Sequence, residues 1–307
     1  HSFRSIPMLA IIILNYAKFV KGCDIVGIYY GAVEALCSPQ ELGKKPLEER
    51  ACPIFDLTLF VELLDWTVGI DKFLSVGDVR QVSQLLEKER QRFGRLGKGT
   101  EATFFNQLKN SIRSFVNSIA TCRGREVSAK ALDLKSKLDE IIGSPELVHI
   151  KPIKPLLEKT RLELATYSCD EHKNMLKVVG WCKEHNLIQQ GITILQEGII
   201  TYLCEKSSLD PALEEYREII TQAVEIRSRK KPFERWKNES KENRQLVNGL
   251  MADQCFVRAA KLLNRMGPTR NDINHAGWRS GPGSPENIEM KLSEFLEAAE
   301  QLILNSE

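Results

Sequence analysis

Several features are missing from this chain, and each absence excludes a class. The longest apolar run, Met8 to Leu14, falls far short of the ~20 residues that cross a bilayer. No charged, apolar and small-residue succession of a signal peptide opens the chain, so a cytoplasmic protein with no membrane partner is expected. The eight cysteines, at 23, 37, 52, 122, 169, 182, 204 and 255, contain no CxxC pair, which suits reduced thiols better than a disulfide framework. Net charge is almost absent as well. With 43 Lys and Arg against 41 Asp and Glu, the balance of +2 gives no global pull toward nucleic acid or anionic lipid, so any basic surface has to be local. The glycine-rich stretch Gly94 to Thr100 lacks both a Gly-Lys-Ser/Thr ending and a preceding strand, and reads as a flexible basic hinge rather than a phosphate loop. No internal repeat or low-complexity tract is visible.

What is present is an ordinary globular mixture, 307 residues long, 42% hydrophobic and 27% charged, enough for about two domains. The opening residues His1 to Pro7 read as a loop running into a helix over Met8 to Leu14, with Pro7 suited to the first helical turn. Because the first residue is not methionine and already reads as mid-loop, further N-terminal residues are expected. Asp24 to Gly31 (DIVGIYYG) is the strongest strand signal in the sequence, β-branched and aromatic and closed by glycine. Helix, strand, helix is the rhythm of a doubly wound α/β sheet, in which ligands sit beyond the carboxyl ends of the strands. That places His1, Ser2, Phe3, Arg4, Tyr30 and Gly31 at a candidate ligand loop; otherwise Arg4 is a surface cation and Tyr30 packs in the core.

Helical spacing follows over 55–73 and 79–93, and no convincing strand appears beyond Glu101. Segments near 101–121, 127–142, 152–168, 171–184, 187–206, 209–227, 239–265 and 286–304 all carry a helical period. The expected organisation is an α/β unit over 1–95, a helical linker over 96–150 and an all-helical domain over 151–307.

Three constellations bear chemistry. Cys169 with His172 and Cys182 with His185 repeat a three-residue spacing that lets thiol and imidazole share a helix face, which is either a zinc site or a buried cysteine beside a capping histidine. Arg227 to Arg244 holds eight basic and three acidic residues interleaved with Phe233 and Trp236. Arg229, Lys230, Lys231, Arg235 and Lys237 can contact phosphates there, and Trp236 can stack on an unpaired base. The alternative is a solvated loop with both rings turned inward.

The third is Gly267 to Gly277 (GPTRNDINHAG). Gly267 and Pro268 are expected to stop one helix, and Thr269 to cap a new one starting at Arg270. Arg270 supplies a cation for a phosphorane, and His275 an acid or base for a ribose 2′-hydroxyl or the leaving oxygen. On a regular helix Asn271 and His275 share a face, whereas Arg270 and His275 diverge by about 140°. The block thus reads as half a site, completed by a symmetry mate, or as polar residues of a helix start.

Taken together, HSFRSIP, DIVGIYYGAVEA, PIFDLTLFVELLDWTVGIDKFLSVGD, WCKEHNLIQQGITILQEGIITYL and TRNDINHAG resemble the CRISPR-associated proteins that join a CARF domain to a HEPN ribonuclease domain. The likeness spans nearly the whole chain in order. It implies an α/β plus all-α fold, with the C-terminal half of a Rossmann-like CARF domain in front of a helical HEPN domain; the strands that normally precede HSFRS are absent. It implies a type III CRISPR effector in which cyclic oligoadenylate, bound by His1, Ser2, Phe3, Arg4, Tyr30 and Gly31, activates a homodimer. That dimer is expected to cut single-stranded RNA with Arg270, Asn271 and His275, leaving a 2′,3′-cyclic phosphate with no metal and no other cofactor. The alternative is a non-catalytic nucleotide sensor or RNA-binding regulator acting through 227–244.

Overall fold

The computed structural model describes residues 6–32, 37–144 and 153–304. They form two compact units, His1–Gly69 and Ile70–Glu307. The break in compactness precedes residue 95. The helices over 99–143 lie in the larger unit, where their apolar faces bury one another.

The first unit comprises α1 (Ile6–Lys21), β1 (Tyr29–Gly31), α2 (Pro39–Leu42), β2 (Ile54–Asp56) and the start of α3 (Thr58–Val76). β1 and β2 are antiparallel, pairing Tyr29 with Asp56, Tyr30 with Phe55 and Gly31 with Ile54. The eight-residue strand expected over 24–31 is therefore cut to its last three residues, and the sheet that is described is an antiparallel pair rather than a parallel Rossmann-like one. Strand propensity acts only through a partner. Ile28 still accepts from the Leu57 amide at 2.7 Å, but Asp24 to Gly27 have no strand partner among the described residues, and Val26 is 90% exposed. β2 runs into α3 through Asp56, whose carboxylate accepts from the Thr58 hydroxyl and amide and is held below its usual range by those bonds. Lys18 of α1 pairs with Asp65 of α3. α1 is apolar on every side, with Leu9, Ile11, Ile12, Ile13, Tyr16, Phe19 and Val20 all more than half exposed.

The second unit is helical throughout its described residues. It runs through α4 (Arg80–Arg95), α5 (Gly99–Ala120), α6 (Gly124–Gly143), α7 (Lys154–Glu163), α8 (Glu171–Glu184), α9 (Ile188–Lys206), α10 (Glu214–Arg229), α11 (Asn238–Glu242), α12 (Arg244–Ala252), α13 (Gln254–Asn274) and α14 (Pro285–Leu304). α4, α5 and α6 are successive helical hairpins. Phe93 stacks on Phe105 at 5.3 Å, and Glu87 is held well below the usual carboxylate range by Arg90 and by Lys109 across the interface.

α9 forms the centre of the rest. Its buried Ile192, Leu195, Ile199 and Leu203 recur at helical spacing, and α8, α10, α13 and α14 pack around it. Gly191 lets α9 approach closely: a Cβ there would lie 3.0 Å from Leu292 and 3.2 Å from Cys182. α3 ends at Gly77, where φ is +69° and a Cβ would sit 2.6 Å from the Trp181 ring. The same indole stacks on His185 at 3.8 Å. No helix among the described residues is long and apolar enough to cross a membrane.

Candidate functional site

The Gly267–Gly277 block lies at the other end of a helix from the one expected. Gly267 and Pro268 do not stop α13, which continues through both to Asn274 with Pro268 inside it. The buried positions Cys255, Phe256, Ala259, Ala260, Leu262, Leu263, Met266, Thr269 and Asp272 form one stripe that passes Pro268 without a break. Burial of that stripe outweighs the cost of one lost amide, and Pro268 and Asn264, one turn before it, are both exposed. Thr269 is thus a core residue rather than an N-cap. Its replacement in the capping role is Asp253, which accepts from the Phe256 amide at 2.7 Å.

His275 is the C-cap of α13. The Ala276 amide donates to the Ile273 carbonyl at 2.9 Å and the Gly277 amide to the Asp272 carbonyl at 3.1 Å, the paired bonds of a Schellman motif. That motif needs a left-handed residue after the cap, and here it is Ala276, with φ +51°. A side chain in this conformation costs about 1 kcal/mol relative to glycine. Ala276→Gly is therefore expected to raise the midpoint of thermal unfolding by roughly 2–4 °C, read by calorimetry on the whole chain.

Within the block, the three candidate catalytic side chains part company. Asn271 and His275 are exposed. Arg270 is turned toward α9, where its Nη1 donates to Glu197 Oε1 at 3.2 Å, and its Nε is buried without a hydrogen-bond partner. Glu197 serves two cations, since Arg217 of α10 reaches its Oε2 at 2.7 Å and its carbonyl at 3.1 Å. One carboxylate between two guanidinium groups leaves that trio with one positive charge in excess. Cys122 lies within the same field: burial pushes its thiol up, against a hydrogen bond with Thr193 and the charges of Arg270 and Arg123. Glu197, Arg217 and Cys122 also line a cleft of about 440 Å³ that includes Arg123 and His172. Asp272 has a structural part, its Oδ2 accepting from the Gly283 amide at 2.7 Å.

The basic stretch 227–244 divides likewise. Trp236 is buried at 8% exposure and its indole N–H donates to the Lys231 carbonyl at 3.0 Å, which leaves its ring no face for a base. Phe233 packs against it at 5.2 Å, and the Arg244 guanidinium lies 4.7 Å over Phe233. Arg229 and Lys231 both pair with Glu225, Lys237 with Glu218, and Lys230 is the left-handed cap of α10. Arg235 is exposed.

The two Cys/His pairs are not brought together as a metal site. Cys182 is buried and its thiol pushed up to about 12 by desolvation. His185 caps α8, its ring nitrogens 2.7 Å from the Trp181 carbonyl and 3.0 Å from the Leu74 carbonyl. His172 meets Glu205 at 2.8 Å, while Cys169 is exposed. Of the candidate ligand loop, Tyr30 and Gly31 are in β1, and His1, Ser2, Phe3 and Arg4 lie outside the described residues.

Compared with known proteins, residues 62–166 match the family model of the second domain of CRISPR-associated protein MJ1674. The chain is also similar to CRISPR-associated protein MJ1674 of Methanocaldococcus jannaschii, 23% identical over 224 residues. That alignment takes in 72% of this chain but 30% of the relative, so the chain spans less than a third of that protein's length.

Proposed function

We propose, from the premise that this chain is a relative of a CRISPR-associated protein, that it is a HEPN-type endoribonuclease of type III CRISPR defence. It cuts single-stranded RNA without a metal when cyclic oligoadenylate binds its CARF portion. The observation that carries this reading is the end of α13, where an exposed Asn271 and His275 lie one and five residues beyond an arginine held by Glu197.

The chemistry follows from those groups. A histidine takes the proton of the ribose 2′-hydroxyl as that oxygen bonds to phosphorus, and the bond to the 5′-oxygen breaks as that oxygen receives a proton. Both oxygens of the new ring stay on the upstream strand, which ends in a 2′,3′-cyclic phosphate. Arg270 carries the charge that builds on the phosphorane. One chain has one such histidine, and it projects away from Arg270. A homodimer with two copies of the block about a two-fold axis supplies an acid, a base and two cations.

The deciding assay incubates single-stranded RNA with the chain, with and without cyclic tetra-adenylate or hexa-adenylate. Cleavage on adding one of the two rings, with 2′,3′-cyclic ends and no loss in EDTA, is the expected result. Loss in EDTA with rescue by zinc would overturn the mechanism. Binding of RNA through the exposed cations of 227–244 with no cut at any enzyme concentration would leave the chain a regulator.

A further inference from the structure

Trp278 is 90% exposed, whereas Trp66 and Trp236 are 3% and 8% exposed and Trp181 is stacked on His185. An indole in water is unusual, because its large apolar surface is normally covered. The backbone that carries it is held in place. Its amide donates to the His275 carbonyl at 2.9 Å, which ties the ring to the candidate catalytic histidine through one turn of backbone. On its far side the Arg279 guanidinium donates to the Pro268 carbonyl at 3.1 Å, and Gly283 is fixed by Asp272 at 2.7 Å. The turn between α13 and α14 is therefore pinned back onto α13 at both ends, with the indole outermost.

We infer that Trp278 is a stacking platform for an unpaired base next to the phosphate that is cut. The inference rests on the reading of the block as a site that receives RNA. The surroundings select a nucleotide over a protein surface. Residues 275–284 (HAGWRSGPGS) contain no other large apolar side chain. A protein interface needs a cluster of such groups at its centre. A nucleotide needs one flat ring with a cation nearby, and here Arg279 follows the ring in the sequence. Every base has a π face, so the platform gives affinity and places the strand without reading its sequence, with the larger purine rings overlapping it more.

Tryptophan emission supplies a test that does not depend on cleavage. The probes are ten-residue adenosine and uridine RNA strands in which fluorine replaces each 2′-hydroxyl, so that no nucleophile is present. Titrating either into the whole chain is expected to quench the emission of the exposed indole, with the adenosine strand binding tighter. Trp278→Ala should weaken Kd roughly 5- to 150-fold, the counterpart of a stack of about 1–3 kcal/mol. Trp278→Phe should retain most of the affinity. Unchanged Kd in Trp278→Ala overturns the inference, and so does a Trp278→Ala chain that is monomeric where the parent is dimeric, since the ring then belongs to the second copy. Quenching by the uncut strands with no cleavage of ordinary RNA would remove the ribonuclease reading and leave the stack standing. Cleavage of ordinary RNA with neither quenching nor a changed Kd would do the reverse.

Discussion

His275→Ala is expected to lower RNA cleavage by about 10²–10⁴-fold, the usual worth of a positioned general acid or base. Arg270→Ala is expected to be comparably damaging, because it removes a cation aimed at charge that develops only in the transition state. Both losses should appear in kcat rather than KM, and both variants should elute from size-exclusion chromatography as the parent chain does. The two differ in what they do to the fold. His275 is exposed and its structural bonds are made by its backbone, so the substitution leaves α13 and its cap intact. Arg270 is half-buried and shares Glu197 with Arg217, so its removal also disturbs a contact between α9 and α13. Arg270→Lys keeps the charge but not the planar fork, and separates positioning from charge alone. Full cleavage by His275→Ala would end its assignment to the chemistry.

Phe115→Ala is expected to destabilise the helical unit by about 3–5 kcal/mol, the range for a buried aromatic removed from a core. The ring is 1% exposed on α5. It meets Tyr167 edge-on at 6.2 Å and Trp181 at 6.1 Å. Trp181 in turn covers Gly77 and His185, and Tyr167 is buried deeply enough for its hydroxyl to be raised above its usual range. Truncation therefore opens a cavity where α5 and α8 and the turn after α3 converge, and the larger rings cannot collapse into it without giving up their own contacts. Chemical denaturation should show a lower midpoint with little change in slope. A loss below about 1 kcal/mol would mean that the three rings are not packed as a unit.

Helices were legible in the sequence wherever an apolar stripe had the right period, as in α8 and α9, because burial of that stripe is what forms them. The two places where a local signal was read against tertiary context came out differently. Strand propensity in Asp24 to Gly27 has no partner strand to act on among the described residues, and the stop signal of Gly267 and Pro268 yields to the stripe on α13. The candidate site was legible only in part. Arg270, Asn271 and His275 stand out as residue types in a short span. Glu197 and Arg217 do not, since their relation to Arg270 depends on how α9, α10 and α13 pack. Trp278 carried a weak signal, a lone aromatic among glycines and serines. Trp236 carried a misleading one, because alternation of cations and rings describes a capped helix end as well as a nucleic-acid surface.

The Arg270–Glu197 contact also says something about when this chain can act. Its partners are 73 residues apart in sequence, and the contact of His185 with the Leu74 carbonyl spans 111. The hairpins of α4, α5 and α6 need only local closure, which is fast, whereas contacts this distant wait for long loops to close. Arg270 therefore meets Glu197 only when α9 and α13 are docked. A chain in which those helices have not docked has the residues of the motif but not their arrangement, and on the proposed function it would not cut RNA.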